Sequence, residues 1–162
     1  MKQNEPIWTS LVLGMHDALV STIGLVTGLA FADANQYIIV LTGIIAAVSA
    51  ALSMTASEYL SQKAGGNSKS ALFRGIMTGG AFVFTSGLLL VPFLLISRPF
   101  YAIYLTYFVA ISIIWFFNYV KSRLSGGRFW PRFFEMIIIC AIVTATAFVL
   151  GEGAKLLFGI DI

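Results

Sequence analysis

Five stretches of this chain are continuously apolar, and their length limits what it can fold into. They run over residues 8–31, 37–60, 75–96, 100–120 and 133–158. About 20 apolar residues of helix cross the hydrocarbon of a bilayer, and each stretch reaches that length. The expectation is an all-α integral membrane protein of five transmembrane helices forming one domain over residues 1–162. With 59% hydrophobic and 10% charged residues and a mean hydropathy of +0.92, the composition lies outside that of soluble domains. No linker suggests a separate soluble domain. Pro92 falls inside the third stretch, where neighbouring helices or water can satisfy the carbonyl it frees. The first stretch follows seven mixed residues that lack a secretory signal pattern, so it is expected to stay attached.

The ten lysines and arginines are scattered over the connections, which argues for a role in topology and against nucleic-acid binding. With the N-terminus cytoplasmic, Lys2, Lys63, Lys69, Arg74, Lys121, Arg123, Arg128 and Arg132 fall inside, and only Arg98 and Lys155 outside. The expected orientation is therefore N-terminus in and C-terminus out. Trp8 and Trp130 then lie at the inner boundary and Tyr37 and Tyr101 at the outer one, where amphipathic rings belong. The single cysteine, Cys140, permits no disulfide within the chain and is expected to pack, as are Met77 and Met136.

Of seven acids, Glu5, Asp33, Glu152 and Asp161 lie in or near polar ends. Asp17 does not. It is nine residues beyond Trp8, about 14 Å along a helix rising about 1.5 Å per residue, and so near mid-membrane. A charge there costs about 2.5 to 3.5 kcal/mol on insertion scales, so the residue needs a reason. Glu58 and Glu135 are shallower, and either can reach headgroup water or a basic partner.

Ser10, Gly14, Asp17, Ser21, Gly24 and Gly28 recur at spacings of three and four, a small and polar stripe that should face another helix. Gly43, Ala47, Ala50, Met54, Ser57 and Ser61 form a similar stripe on the second helix, which suggests that the two pack against each other. Packing alone explains the glycines, since small residues let helices approach closely in lipid, and "GLVTG" is a GxxxG match. It does not explain Asp17, whose structural alternative is a protonated acid bonded across helices. The functional alternative is a cation site. Asp17 offers hard oxygen, Met54 and Met15 offer thioether sulfur, and Glu58 offers oxygen at the inner mouth. His16 could add imidazole, although it sits about 100° round the helix from Asp17 and such a histidine commonly packs. Mixed oxygen and sulfur donors suit a transition metal better than magnesium or calcium.

"GMHDALVSTIGLVTGLA" followed by "LTGIIAAVSAALSMTASEYLSQK" resembles the first two helices of the vacuolar iron transporter family. "GLLLVPFLL" and "VTATAFVLGEGAKLLFG" are similar, more loosely, to its later helices. The resemblance implies a homodimer of five-helix protomers exchanging ferrous iron, and sometimes manganese, for protons along a path lined by the first two helices of both subunits. Asp17 matches the family's mid-membrane aspartate and Met54 the methionine that follows it in the path. Glu58 matches the glutamate of the bacterial-type "EY" pattern, whereas Ala46 stands where plant-type members carry glutamate. Ala18 replaces the glycine usual after the aspartate, and "SQKAGGNSKSALFR" is short and basic where those relatives insert a long acidic region. The expected activity is export of ferrous iron or manganese from the cytoplasm in exchange for protons, with no resident cofactor, from the plasma membrane in a prokaryotic cell. The rival is a non-transporting membrane scaffold with Asp17 as a buried structural acid. No serine with a base, paired histidines or HExxH pattern suggests an enzyme.

Overall fold

The computed structural model describes residues 7–66, 68–125 and 129–158. They form five helices: α1 (Ile7–Phe31), α2 (Gln36–Ala64), α3 (Ser68–Leu95), α4 (Pro99–Ser125) and α5 (Phe129–Phe158). All five are long and apolar enough to cross a membrane, and the chain is an integral multi-pass membrane protein. The helices cover the five stretches read from the sequence, except that α3 stops at Leu95, one residue before the expected end. Most run further at the lysine- and arginine-rich end, α2 to Ala64 and α4 to Ser125, because a helix does not have to stop where the hydrocarbon does.

Local chemistry sets the ends. Asp33 turns the chain after α1 with a φ of 58°, a left-handed conformation that aspartate tolerates. Two residues on, the Asn35 side chain accepts a hydrogen bond of 2.9 Å from the Tyr37 amide and caps α2. Gly66, with φ of 84°, ends that helix. Pro99 opens α4 at a position whose amide has no helical partner. Pro92 is accommodated within α3, and the helix goes on to deliver the Ile96 amide to the Pro92 carbonyl at 3.0 Å.

α1 lies at the centre and touches all four other helices, while the most extensive contact joins α2 to α3. Three apolar clusters fill the bundle. One, at the end where α1 turns into α2, joins Val26, Ile39, Phe93 and Ala102. A second joins Met15, Leu19, Leu89, Ile114, Met136 and Cys140, so Met136 and Cys140 pack as expected. The third is the meeting of Ala18 with Ala47, Ala51 and Phe82. Buried hydroxyls lace the same helices: Thr22 and Ser86 bond at 2.9 Å, Thr27 and Tyr107 at 3.0 Å, and Thr106 donates to the Leu89 carbonyl at 3.2 Å.

The small-residue stripes do not pair with each other as the spacing suggests. Gly14 lies against the backbone carbonyl of Thr78 on α3, while Gly24 and Gly28 lie against Val143 and Ala147 on α5. On α2, Gly43 meets Leu90 of α3, and a Cβ on Gly79 of α3 would come 2.7 Å from the Ala51 carbonyl. The physical reason is that α3 and α5 bring small residues of their own, Gly75, Gly79 and Gly151. Helical spacing shows which face is narrow but leaves the neighbour open.

Candidate metal centre

The exposed strip of α1 decides where the candidate ligands lie. Its cluster with Ala47 and Ala51 of α2 buries Ala18 fully, and on the other edge Gly24 and Gly28, partly buried, lie against α5. Between these two contacts Leu13, Asp17 and Ser21 stay exposed. The sequence reading placed Asp17 against another helix, and this needs correction: among the described residues, no helix of its own chain covers it. An i, i+3, i+4 stripe is wide enough to be shared, and α2 and α5 grip its two edges while leaving the middle open. Ser21 is satisfied locally, donating to the Asp17 backbone carbonyl at 2.6 Å.

Met54 lies partly buried against the Ala18, Ala47, Ala51 and Phe82 cluster. It therefore sits across α2 from the residue that follows Asp17, at the same level of the bundle. Ala50 packs there too, partly buried, while Ser57 and Ser61 of the same stripe are exposed. Glu58 lies further toward the basic end. Its Oε1 accepts from the Ser10 hydroxyl at 3.1 Å and from the Gln62 amide at 3.0 Å, so it ties α2 to α1.

The two weaker candidates go elsewhere. Met15 is fully buried among Leu19, Leu89, Ile114 and Met136, on the side of α1 opposite Asp17. A side chain enclosed by that cluster cannot share a ligand with Asp17 without unpacking it. His16 is half-buried, and the charges acting on it come from Lys121 of α4 and Glu135 of α5. It belongs to the α4 and α5 side of the bundle, away from Met54.

Among the described residues, no three of histidine, cysteine, aspartate and glutamate converge on one point. One chain thus leaves Asp17 exposed, with Met54 and, a few turns away, Glu58 each partly buried where α1 meets α2. Sequence reasoning missed two parts of this region. Ala46, Ser49, Ser53 and Ala56 carry the exposed face of α2 onward as small and hydroxyl side chains, a pattern legible from their three- and four-residue spacing. From Ser21 a groove of about 740 Å³ runs between α1 and α5, lined by Gly24, Gly28, Val143, Thr146 and Ala147, and it is set by a helix pairing that spacing does not encode.

Comparison with curated proteins returned no match. A model of the VIT family matches residues 8–73, which carry α1, α2 and the opening of α3 together with Asp17, Met54 and Glu58. Over these residues the chain matches the VIT family, and the resemblance to the vacuolar iron transporters carried by its first two helices is thereby shown.

Proposed function

We propose that this protein is a proton-coupled exporter of ferrous iron or manganese, working as a homodimer with its N-terminus in the cytoplasm. The observation that carries the reading is Asp17, a carboxylate about halfway along a membrane-spanning helix that its own chain leaves exposed. Left in hydrocarbon it is costly. A second copy related by a two-fold axis covers it by laying the same α1 and α2 face against itself, and doubles every ligand. Two aspartates and two methionines then supply the mixed oxygen and sulfur set that one chain lacks, suited to a borderline divalent metal. The VIT family match over these helices supports metal-ion transport.

In this reading Glu58 attracts the ion at the inner end and Met54 makes a soft contact on the way to Asp17. Asp17 holds the metal in one state and a proton in the other, so that one carboxylate carries the two cargoes in opposite directions. The eight-to-two distribution of basic residues supports the orientation, and with it export. Proteoliposomes test the proposal. Asp17→Asn keeps the size and polarity of the side chain but removes the charge and turns one acceptor into a donor. It is expected to abolish ferrous iron or manganese flux and the accompanying proton movement while the protein remains folded. Flux that persists in this variant overturns the assignment.

A further inference from the structure

Two cavities of unlike chemistry meet at Phe31, where α1 ends. One, of about 700 Å³, lies among the α1–α2 turn, the α3–α4 turn and α5, and its wall includes Asp33, Gln36, Ser97, Arg98, Phe100 and Glu152. The other, of about 550 Å³, separates α4 from α5 and is lined almost wholly by apolar side chains, among them Ile23, Ile111, Ile114, Ala141 and Phe148. Phe31 lines both, its ring edge-on to Phe100 at 6.2 Å and to Phe148 at 4.7 Å.

The polar cavity holds both signs of charge. Lys155 pairs with Asp33. Among the described residues no hydrogen bond or ion pair engages the side chain of Arg98 or of Glu152, so one cation and one anion face the cavity without a partner. The apolar crevice lies within the hydrocarbon. From Ile137 to Phe148 it follows about 16 Å of α5 at about 1.5 Å per residue, the depth of one leaflet of a bilayer core about 30 Å thick. Ile111 and Phe148 stand half-exposed on it, so it is reached from the lipid. Water finds too few polar partners there, whereas an acyl chain fits its length and its chemistry.

We propose that the two cavities form one site for a phospholipid whose headgroup carries a phosphate and a primary ammonium, as in phosphatidylethanolamine. The phosphate lies at Arg98, the ammonium at Glu152, and one acyl chain runs past Phe31 between α4 and α5. A guanidinium matches phosphate oxygens in a forked pair, and a primary ammonium gives a carboxylate charged donors that a glycerol headgroup lacks. The chain fills the gap beside α5 and so braces a helix that packs on Gly24 and Gly28 of α1. Neither cavity includes Asp17, Met54 or Glu58, so the site stands apart from the transport reading.

Native mass spectrometry of the protein released from detergent micelles resolves individual bound lipids and yields their affinities. Dioleoyl phosphatidylethanolamine is expected to bind about tenfold tighter than dioleoyl phosphatidylglycerol, which shares its phosphate and chains but has no ammonium, a margin of about one charge-assisted hydrogen bond. Arg98→Gln weakens phosphatidylethanolamine about tenfold for the same reason. Glu152→Gln removes the preference between the two lipids. Ala141→Trp fills the crevice and removes the tight site for both. Equal affinity for the two lipids in the native protein overturns the proposal, as does native affinity for phosphatidylethanolamine in either Arg98→Gln or Ala141→Trp. Glycerophosphoethanolamine, the headgroup without chains, is not expected to compete; displacement of the lipid by it at equal concentration would assign the polar cavity to a soluble phosphoester instead. Should Ala141→Trp fail to fold, lysophosphatidylethanolamines of decreasing chain length read the crevice in the native protein: affinity that falls with the chain supports it, and affinity independent of chain length overturns it.

Discussion

Replacing Gly14 by alanine tests a close approach of α1 to α3. The added Cβ would land on the carbonyl oxygen of Thr78, with the Thr78 Cα 3.2 Å away. That carbonyl belongs to the backbone of α3 and cannot turn aside as a side chain would, so α1 itself must shift. Overpacking of this kind costs about 1–3 kcal/mol, and a rigid obstacle argues for the upper end. Alanine recovers up to about 1 kcal/mol through its helix propensity. The expected net loss is about 2 kcal/mol. Gly87 and Gly80 on α3 are the controls, because nothing lies within 4 Å of a Cβ at either position. Alanine there is expected to be neutral or to stabilise by up to about 1 kcal/mol. Reversible unfolding in mixed detergent micelles measures all three. Gly14→Ala within about 0.5 kcal/mol of the native protein, the range of an indifferent surface change, would refute the close packing of α1 on α3. The same shift moves Asp17 relative to Met54, so Gly14→Ala should also depress metal flux with every candidate ligand intact.

Other substitutions probe separate contacts. Thr22→Val leaves the buried Ser86 hydroxyl without its partner at 2.9 Å and is expected to cost about 1 kcal/mol, with much of the loss regained by adding Ser86→Ala; chemical denaturation of the single and double variants measures this. Asp33 pairs with Lys155 where the α1–α2 turn meets α5, but both side chains are partly exposed, so Asp33→Ala should lower stability by less than about 1 kcal/mol, and less still at high salt. A larger or salt-independent loss would show that the left-handed turn at Asp33, rather than the ion pair, is the critical feature.

The number, type and approximate bounds of the helices were legible in the residues, because each apolar stretch has to satisfy its own backbone in lipid and only helix length was in question. Asp17 stood out for the same reason, as a charge in a segment that should exclude one, and Met54 and Glu58 followed from spacing and from the resemblance. Helix spacing could not show which helix each narrow face would meet. Gly14 pairs with α3, Gly24 and Gly28 with α5, and Gly43 with α3, since the partner depends on small residues far away in the chain. That assembly left Asp17 uncovered, enclosed Met15 in the core, turned His16 toward α4 and α5, and buried Arg74 near the start of α3. Hydrophobicity is a property of each segment and can be read locally. Exposure is a property of how segments meet, so only the tertiary structure could show that the conspicuous acid of α1 lies on an open face and that one of the scattered basic residues does not.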